Sequence, residues 1–484
     1  MSTARHLVWL RADLRTSDNT ALAAACLDKH AEVACVYAIT PRQWQQHDVA
    51  GVRVDFELRS LMSLKSALDK LNIPLLIVEA PDFKDLPKAL ATLCQKHQIT
   101  SVHCNIQYEV NEQIRDKAVQ HTLDSIGVAF HAHHDQCVVT PGTVLTNDGR
   151  FYSVFTPFKK NWLSRLDVSG LTLLPAPTKR RNQFADSEPV PASVKGFKSH
   201  VKTETALAWW PAGEKAAQQR LAGFIAHGLK HYDERRDFPE LTHDDGVSRL
   251  SPYLAVGSIS SRQCLNAAFN YRHQHGGSKG VEQWISEIGW RDFYKHVLVG
   301  WPRVCMHQPF RLETAPIPWR HDTTDFQRWC EGKTGFPLVD AAMRQLQQTG
   351  WMHNRLRMVV AMFLTKDLFI DWRWGEKFFM QHLIDGDLSA NNGGWQWSAS
   401  TGNDAAPYFR IFNPVLQSER FDPKGNFIRE YVPELREIRD KSIHQPLPSL
   451  FSSYPAPMVD RRIVKDRVLS HFRNLKPLAP PAER

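Results

Sequence analysis

The sequence contains no run of about 18 uninterrupted apolar residues, so we expect no transmembrane helix. Its first residues, MSTARHLVWLRADLR, meet positive charge too early for a secretory signal peptide. The eight cysteines are scattered, and no pair has the CxxC spacing typical of redox or zinc sites. These absences predict a soluble cytoplasmic protein with reduced thiols and no membrane partner.

The length of 484 residues predicts two or three domains, each able to bury its own core. Charge is unevenly distributed along the chain. Residues 1–140 hold 14 Lys and Arg against 16 Asp and Glu, so the remainder holds 46 against 35. A basic C-terminal portion suits a polyanionic partner, but charge alone fits plain solubility equally well.

Short apolar runs alternate with helical patterns through residues 5–140. The runs HLVWL, AEVACVYAI, IPLLIVEA and ITSVHCNI predict buried parallel strands, and the segments between them predict helices. This alternation predicts a doubly wound α/β domain, whose ligands bind at the carboxyl ends of the strands. No GxGxxG follows a strand, which excludes a dinucleotide site of the fingerprint type.

Strand signals end at about residue 206, and helical spacing replaces them. Before that point, residues 165–205 lose periodicity and gain Pro, Ser, Lys and Arg, which is typical of a surface connector. The predicted fold class is therefore α/β plus all-α. We divide the chain into an α/β domain at 1–140, a connector at 141–205, a helical domain at 206–475 and a tail at 476–484.

Polar and aromatic residues are most concentrated between residues 351 and 414. This segment reads WMHNRLRM, then IDGDLSANNGGWQWSASTG, then APYFRIFNP. Helical spacing puts Asn354, Arg357 and Met358 on one face, and Asp385 and Asp387 follow in a predicted Gly-rich turn. Such turns are commonly only turns. The density of this one favours a pocket for a flat, hydrogen-bonding aromatic ligand.

A predicted helix near 281–299 carries an unusual face. At i, i+3 and i+4 spacing, this face holds Trp284, Glu287, Trp290, Arg291 and Tyr294. A Glu–Arg pair alone would indicate a solvated surface bridge. Two tryptophans beside it make a functional and a structural role equally reasonable.

The segment VSRLSPYLAVGSIS at 247–260 places Ser248, Arg249 and Ser251 just before a helical pattern. Unpaired N–H groups at a helix N-terminus suit phosphate. An ordinary serine cap is the more frequent explanation of such a pattern.

Tryptophan and histidine each form a cluster in the sequence. Ten of the fifteen tryptophans lie between Trp284 and Trp397, which fits a stacking site or an electron relay as well as a helical core. The segment HAHHDQC at 131–137 has poor metal-ligand spacing, so we predict no metal site there.

In this order, the motifs resemble the flavin-binding signature of the DNA photolyase and cryptochrome family. The resemblance runs from HLVWLRADLRTSDN to the last basic helix and is strongest from 232 to 435. The chain is most similar to bacterial class I cyclobutane pyrimidine dimer photolyases of the folate-antenna type.

The resemblance implies light-driven repair of pyrimidine dimers in ultraviolet-damaged DNA. An electron from excited reduced FAD would enter a flipped-out dimer, the cyclobutane ring would split, and the electron would return. A 5,10-methenyltetrahydrofolate antenna would pass light energy to the flavin. The protein is expected to act as a cytoplasmic monomer.

The family pattern also assigns residues. The expected FAD contacts are Tyr232, Ser248, Arg249, Leu250, Ser251, Trp284, Glu287, Arg291, Asn354, Arg357, Asp385, Asp387 and Asn391. The residues expected to act in catalysis are Glu287 and Asn391, with an electron relay of Trp395, Trp372 and Trp319. The expected dimer pocket adds Trp290, Asn354, Met358 and Trp397. The DNA backbone would meet Lys160, Arg236, Arg355 and Arg410, and the folate antenna would meet His47, Asn111, Glu112 and Cys305.

Two positions depart from the pattern. Val247 stands where the family usually has threonine, so one phosphate contact is lost, and we expect a small effect. Met306 stands where similar proteins have lysine, which predicts weaker affinity for polyglutamyl folate.

Three other functions remain to be separated from dimer repair. A cryptochrome-like blue-light receptor would share the flavin pocket and the tryptophans. A (6-4) photolyase would carry a histidine where this chain has Met358. A flavin-free nucleic-acid-binding protein would be colourless when purified.

Overall fold

The computed structural model describes residues 4–169, 171–447, 453–473 and 475, and the predicted tail at 476–484 lies outside them. Its N-terminal part is built on one five-stranded parallel sheet in the order β3-β2-β1-β4-β5. The strands are β1 Arg5–Leu10, β2 Glu32–Ile39, β3 Leu75–Glu79, β4 Ser101–Asn105 and β5 Ala129–His133. The strand order reverses between β1 and β4, so the predicted doubly wound sheet is confirmed.

The fifth strand was not predicted from the sequence. It reads AFHAH, lies at the edge of the sheet, and is mostly exposed, so it lacks the apolar run of a buried strand. Part of the HAHHDQC segment is therefore strand β5. His131 and His133 contact His103 on β4, with ring centroids 4.7 and 5.5 Å apart.

Helices cover both faces of the sheet. They are α1 Thr20–Ala25, α2 Pro41–Gln46, α3 Gly51–Lys70, α4 Leu86–His97 and α5 Val110–Asp124. Alternate strand residues enter different cores. Leu7 and Trp9 pack in one apolar cluster, whereas Val8 and Leu10 pack in a second that continues into the helical part.

The rest of the described chain is helical, which confirms the predicted fold class. Its helices are α6 Phe155–Ser169, α7 Thr203–Trp209, α8 Glu214–His227, α9 Tyr232–Arg235, α10 Ser251–Val256, α11 Ser261–His275, α12 Lys279–Gly300, α13 Thr323–Cys330, α14 Pro337–Thr349, α15 Asn354–Met362, α16 Trp372–His382, α17 Leu388–Ala399, α18 Pro414–Phe421, α19 Asn426–Tyr431 and α20 Val464–Arg473. Helix α6 lies within the predicted connector. None of the described helices is long and apolar enough to cross a membrane.

The predicted Gly-rich turn after Asp387 is wrong, because α17 occupies it. The Asp387 side chain caps the helix by accepting from the backbone N–H of Ala390 (3.2 Å). Gly393 lies against the ring of Tyr294 on α12, and a Cβ there would come within 2.2 Å of that ring. Close packing of two helices therefore explains Gly393.

Hydrogen bonds tie the α/β part to the helical part. Arg53 on α3 donates to the carbonyl oxygens of Gly386 and Ala255, both at 2.9 Å. Glu214, at the start of α8, accepts from the backbone N–H groups of Thr16 (2.8 Å) and Ser17 (3.1 Å). Residues of each part thus bind backbone groups of the other.

Candidate functional site

A cavity of about 550 Å³ opens among α12, α15, α16 and α17, and we call it the central cavity. It brings together many of the predicted site residues: Arg236, Glu287, Trp290, Asn354, Arg355, Arg357, Met358, Asp385, Asp387, Asn391, Trp395 and Trp397. The volume suits a cofactor-sized ligand. Segments distant in sequence thus form one site.

Glu287 is the carboxylate on the α12 side of this cavity. Its Oε1 accepts from Gln283 Nε2 (2.8 Å) and is ion-paired with Arg236. The side chain is 26 % exposed and lines the cavity, so the carboxylate is accessible from it. The pair of donors fixes one oxygen and leaves Oε2 for a ligand.

Trp290 is half-buried and presents an aromatic surface. It stacks on Phe155 with ring centroids 3.8 Å apart and an angle of 14° between the planes. Both Trp290 and Trp397 line the central cavity. Such rings can hold a flat apolar group by stacking.

Two aspartates flank the start of α17. Arg357 Nη2 binds Asp385 Oδ2 at 2.7 Å, and Lys295 Nζ lies 3.1 Å from Asp387 Oδ2. Burial alone would raise the pKa of Asp387, but the charges of Lys295 and Arg291 hold it well below its ordinary value. Asp387 therefore remains ionised at neutral pH.

Asn391 is oriented by its neighbour on α16. Its Nδ2 donates to the backbone carbonyl of Glu376 (2.9 Å). Within the described part of the chain, its side-chain oxygen has no hydrogen bond, so it is free to accept one from a ligand. Glu376 is itself held by Asn392 (2.8 Å) and His307 (2.9 Å).

The predicted phosphate-side residues lie outside the central cavity. Leu250 and Trp284 are core residues, and Tyr232 packs on Phe224. Ser248 accepts from Arg220 through its carbonyl (2.9 Å), and Ser251 Oγ accepts from the indole of Trp351 (3.1 Å).

Unpaired guanidinium atoms show that this region suits an anion. Arg249 Nε and Arg291 Nη1 are buried and lack a hydrogen-bond partner in the described part of the structure. Burial, and then the charge of Arg220, lower the pKa of Arg249. Each arginine can donate to a phosphate oxygen, so the residues present fit an anionic cofactor such as FAD.

The three relay tryptophans are all buried. Trp395 lines the central cavity and is 2 % exposed, Trp372 is 1 % exposed, and Trp319 is 7 % exposed. The rings touching Trp395 belong to Phe379 and Trp329. Among the described residues, no ring contact joins Trp395 to Trp372 or Trp372 to Trp319.

A second cavity of about 310 Å³ lies between the α/β and helical parts, and we call it the interface cavity. It contains all four predicted antenna residues: His47, Asn111, Glu112 and Cys305. Asn111 Nδ2 lies 3.0 Å from His47 Nε2. Met306 also lines this cavity and is 55 % exposed, so a neutral side chain stands at its opening.

Titration of the interface cavity is shifted by burial. Burial, and then the charge of Glu109, raise the pKa of Glu112 to about 7. Burial raises the pKa of Cys305 to about 11, so it remains a neutral thiol. Glu112 and Cys305 thus offer groups that donate and accept hydrogen bonds, beside the ion pairs that Lys295 forms in the same wall.

The predicted DNA-contacting cations differ in setting. Lys160 and Arg410 are exposed. Arg236 and Arg355 line the central cavity and pair with acids, and Arg355 binds Asp237 at 2.7 Å. Arg236 and Arg355 therefore lie in the wall of the central cavity, at its mouth.

Sequence reasoning missed several residues that shape these cavities. Gln283 stands four residues before Glu287 on α12, and helical spacing could have revealed it. Asp237 adjoins Arg236 in the sequence. Lys295 shows no signal beyond a helical position, because its partners come from distant segments.

Comparison with known proteins agrees with this geometry. Residues 6–179 match the family model of DNA photolyase, and residues 284–474 match the model of the FAD binding domain of DNA photolyase. The chain is 46% identical to the deoxyribodipyrimidine photo-lyase of Salmonella typhimurium, over 96% of this chain and 98% of that protein.

Solved structures show the same fold. A class III photolyase from Agrobacterium tumefaciens has a TM-score of 0.87 and 34% identity, with 98% of each chain covered. A Synechocystis cryptochrome has the same TM-score at 28% identity, covering 97% of this chain and 100% of that one. The chain therefore belongs to the DNA photolyase family, and its helical part is the FAD-binding domain of that family.

Proposed function

We propose that this protein repairs cyclobutane pyrimidine dimers in DNA under near-ultraviolet or blue light, using reduced FAD. The observation that carries this proposal is the composition of the central cavity, which combines six of the thirteen expected FAD contacts with all of the expected dimer contacts. The similar protein of Salmonella typhimurium bears the name deoxyribodipyrimidine photo-lyase, which supports the same reaction.

With its flavin ring in this cavity, FAD would supply the dimer with one electron under light and take it back after the ring has split. The chain holds and orients the cofactor. Arg249 and Arg291 are suited to its diphosphate, because their buried N–H groups lack partners in the described structure. Asn391 offers a side-chain oxygen that accepts from an N–H group, which favours a reduced ring.

A dimer flipped from the duplex would stack between aromatic side chains. Trp290 has one face on Phe155 and lines the cavity, as does Trp397. A damaged base step is poorly stacked, so its extrusion costs less than that of an intact step. The cavity therefore selects lesions through the cost of flipping.

Glu287 would bind the edge of the flipped base. Arg236 and Gln283 fix its Oε1, and Oε2 remains to accept from a pyrimidine N–H. Met358 fills the cavity with an apolar side chain where a (6-4) enzyme would carry histidine. These features favour cyclobutane dimers as the substrate.

DNA would be positioned by its backbone and not by its sequence. Exposed Lys160 and Arg410 would contact phosphates, with Arg236 and Arg355 at the mouth of the cavity. We further propose 5,10-methenyltetrahydrofolate as the antenna in the interface cavity, and a cytoplasmic monomer as the working form.

The decisive experiment measures repair of an oligonucleotide with a single dimer, in the light and in the dark. The variant Glu287→Gln should slow repair by about ten- to a hundredfold, since one charged hydrogen bond contributes about 1.5–3 kcal/mol. The matched control is Glu282→Gln on the same helix, where the carboxylate pairs with Arg272 at the surface (3.2 Å).

Each outcome separates one alternative. A yellow protein that repairs nothing in the light would favour the receptor function of a cryptochrome. A colourless protein that binds DNA would favour the flavin-free function. Equal repair by both Glu variants would remove Glu287 from the mechanism.

A further inference from the structure

We propose that Lys366 is a positioning residue for DNA binding, because its ammonium group holds the end of α17 and, through Phe472, the exposed segment 408–410. The inference rests on the proposed function, since it needs a damaged duplex that meets Trp397 and Arg410. Lys366 itself is fully buried and would touch neither the flavin nor the dimer. It would act through the backbone and the rings that it contacts.

Lys366 lies in a π-helical turn, Phe363–Asp367, that directly follows α15. Such turns inside helices are often found at functional sites. The Nζ of Lys366 donates to the backbone carbonyl of Ala399 (3.1 Å) and to Ser400 Oγ (2.9 Å). Ser400 ends α17 in the left-handed conformation, with φ of +65°. The lysine therefore ties the end of α15 to the end of α17, and a cation suits the negative end of a helix dipole.

The two helices that Lys366 joins form opposite parts of the expected dimer pocket. Helix α15 carries Asn354 and Met358, and the last turn of α17 carries Trp397. All three side chains line the central cavity. The hydrogen bonds of Lys366 therefore help to set the distance between the stacking ring and the groups that face it.

Aromatic contacts connect the same ammonium group to the surface. The Nζ of Lys366 lies 4.2 Å from the centre of the Phe472 ring on α20. Tyr408 stacks on Phe472, with ring centroids 5.6 Å apart and an angle of 6° between the planes. The next residues are Phe409, which is 63 % exposed, and Arg410, which is also exposed. A ring attracts a lysine only while the lysine is charged, so protonation of Lys366 strengthens this connection.

The charge on Lys366 can change near neutral pH. Among the described residues, no carboxylate pairs with its ammonium group, and the adjacent Asp367 is paired with Arg461. The backbone carbonyl of Asp367 accepts from Arg467. Burial, and then the charge of Arg311, lower the pKa of Lys366 to about 7. Bound phosphates favour the charged form, so DNA binding should take up protons and should weaken as pH rises through about 7.

The test is calorimetric titration of the flavin-loaded protein with a duplex that contains one dimer, in buffers of different ionisation enthalpy. Near pH 7 the wild type should take up about 0.3 proton more per bound duplex than Lys366→Met. At lower pH it should bind the duplex about fivefold more tightly than this variant. That ratio should shrink as pH rises through about 7, whereas a purely structural role of Lys366 would leave proton uptake unchanged.

A second variant, Ser400→Gly, keeps the left-handed end of α17 and removes one acceptor of Lys366. It should bind the duplex about twofold more weakly and keep the proton uptake. The matched control is Lys65→Met, which removes an exposed lysine paired with Asp69 in the α/β part and should change neither quantity.

Two results would overturn the role of Lys366 while leaving dimer repair intact. One is equal proton uptake by the wild type and a folded Lys366→Met protein. The other is a wild type that binds the duplex without taking up protons, which decides the matter even if Lys366→Met does not fold. A wild type that binds no damaged duplex would overturn the proposed function as well.

Discussion

Lys295 and Asp387 form a buried ion pair, 3.1 Å long, in the wall shared by the central and interface cavities. The same ammonium group binds Glu109 at 2.7 Å. Asp387 precedes α17 and Glu109 precedes α5, so one lysine fixes the first turns of two helices that carry site residues.

We expect Lys295→Met to destabilise the protein by about 3–5 kcal/mol, since it leaves two carboxylates without their buried counter-charge. Denaturant unfolding measures this change. The control Lys377→Met removes a surface pair with Asp48 and should cost about 1 kcal/mol or less. If Lys295→Met were as stable as the wild type, the ion pairs of Lys295 would contribute little to the free energy of unfolding, because solvent would screen both carboxylates.

Glu112 should make stability depend on pH. The ordinary pKa of 4.5 describes the unfolded chain, and burial raises the folded value to about 7. Between these values the folded state binds more protons, so its free energy of unfolding falls as pH rises and levels off above about 7. Unfolding of Glu112→Gln across this range should show a flatter profile. If the pH profile of Glu112→Gln matched that of the wild type, other titrating groups would cause the pH dependence of stability.

Two adjacent glycines of α17 should respond oppositely to alanine. Gly393→Ala places a methyl group in the ring of Tyr294, and we expect destabilisation by about 1–3 kcal/mol. At Gly394 a Cβ meets nothing within 4 Å and points into the central cavity, so Gly394→Ala should fold well yet bind flavin or dimer less tightly. Thermal unfolding and flavin titration of both variants separate packing from ligand space.

Affinity for a dimer-containing duplex should fall steeply with salt, because bound phosphates release counterions. Lys160→Gln and Arg410→Gln should each reduce the slope of log affinity against log salt by about 1. Lys84→Gln, an exposed lysine of the α/β part, serves as control and should leave the slope unchanged. An affinity independent of salt would contradict the interpretation that the basic C-terminal portion binds DNA phosphates.

Helical periodicity in the sequence predicted those parts of the site that lie on a single helix. The face of α12 followed from helical spacing, and Glu287 and Trp290 do line the cavity. Trp284 shares that spacing but packs in the core on Phe224. Helical spacing predicts which side of the helix a residue lies on, but it does not predict what packs against that side.

Features that depend on distant contacts could not be derived locally. Helix α17 contains two glycines, and Tyr294, about a hundred residues earlier, explains one of them. The interface cavity joins His47, Asn111 and Cys305 from three segments, and only the family resemblance grouped them. The edge strand β5 lacked an apolar run, so burial patterns could not reveal it.

The bonds that Arg53 makes to the helical part give the α/β part a structural role in the FAD-binding domain. Its guanidinium satisfies the carbonyls of Gly386, in the loop before α17, and of Ala255, in the last turn of α10. These bonds need no bound pigment, whereas a protein that loses the α/β part exposes two carbonyls beside the flavin-binding elements. The α/β part is therefore needed for the local structure of the FAD-binding domain, whether or not it binds a pigment.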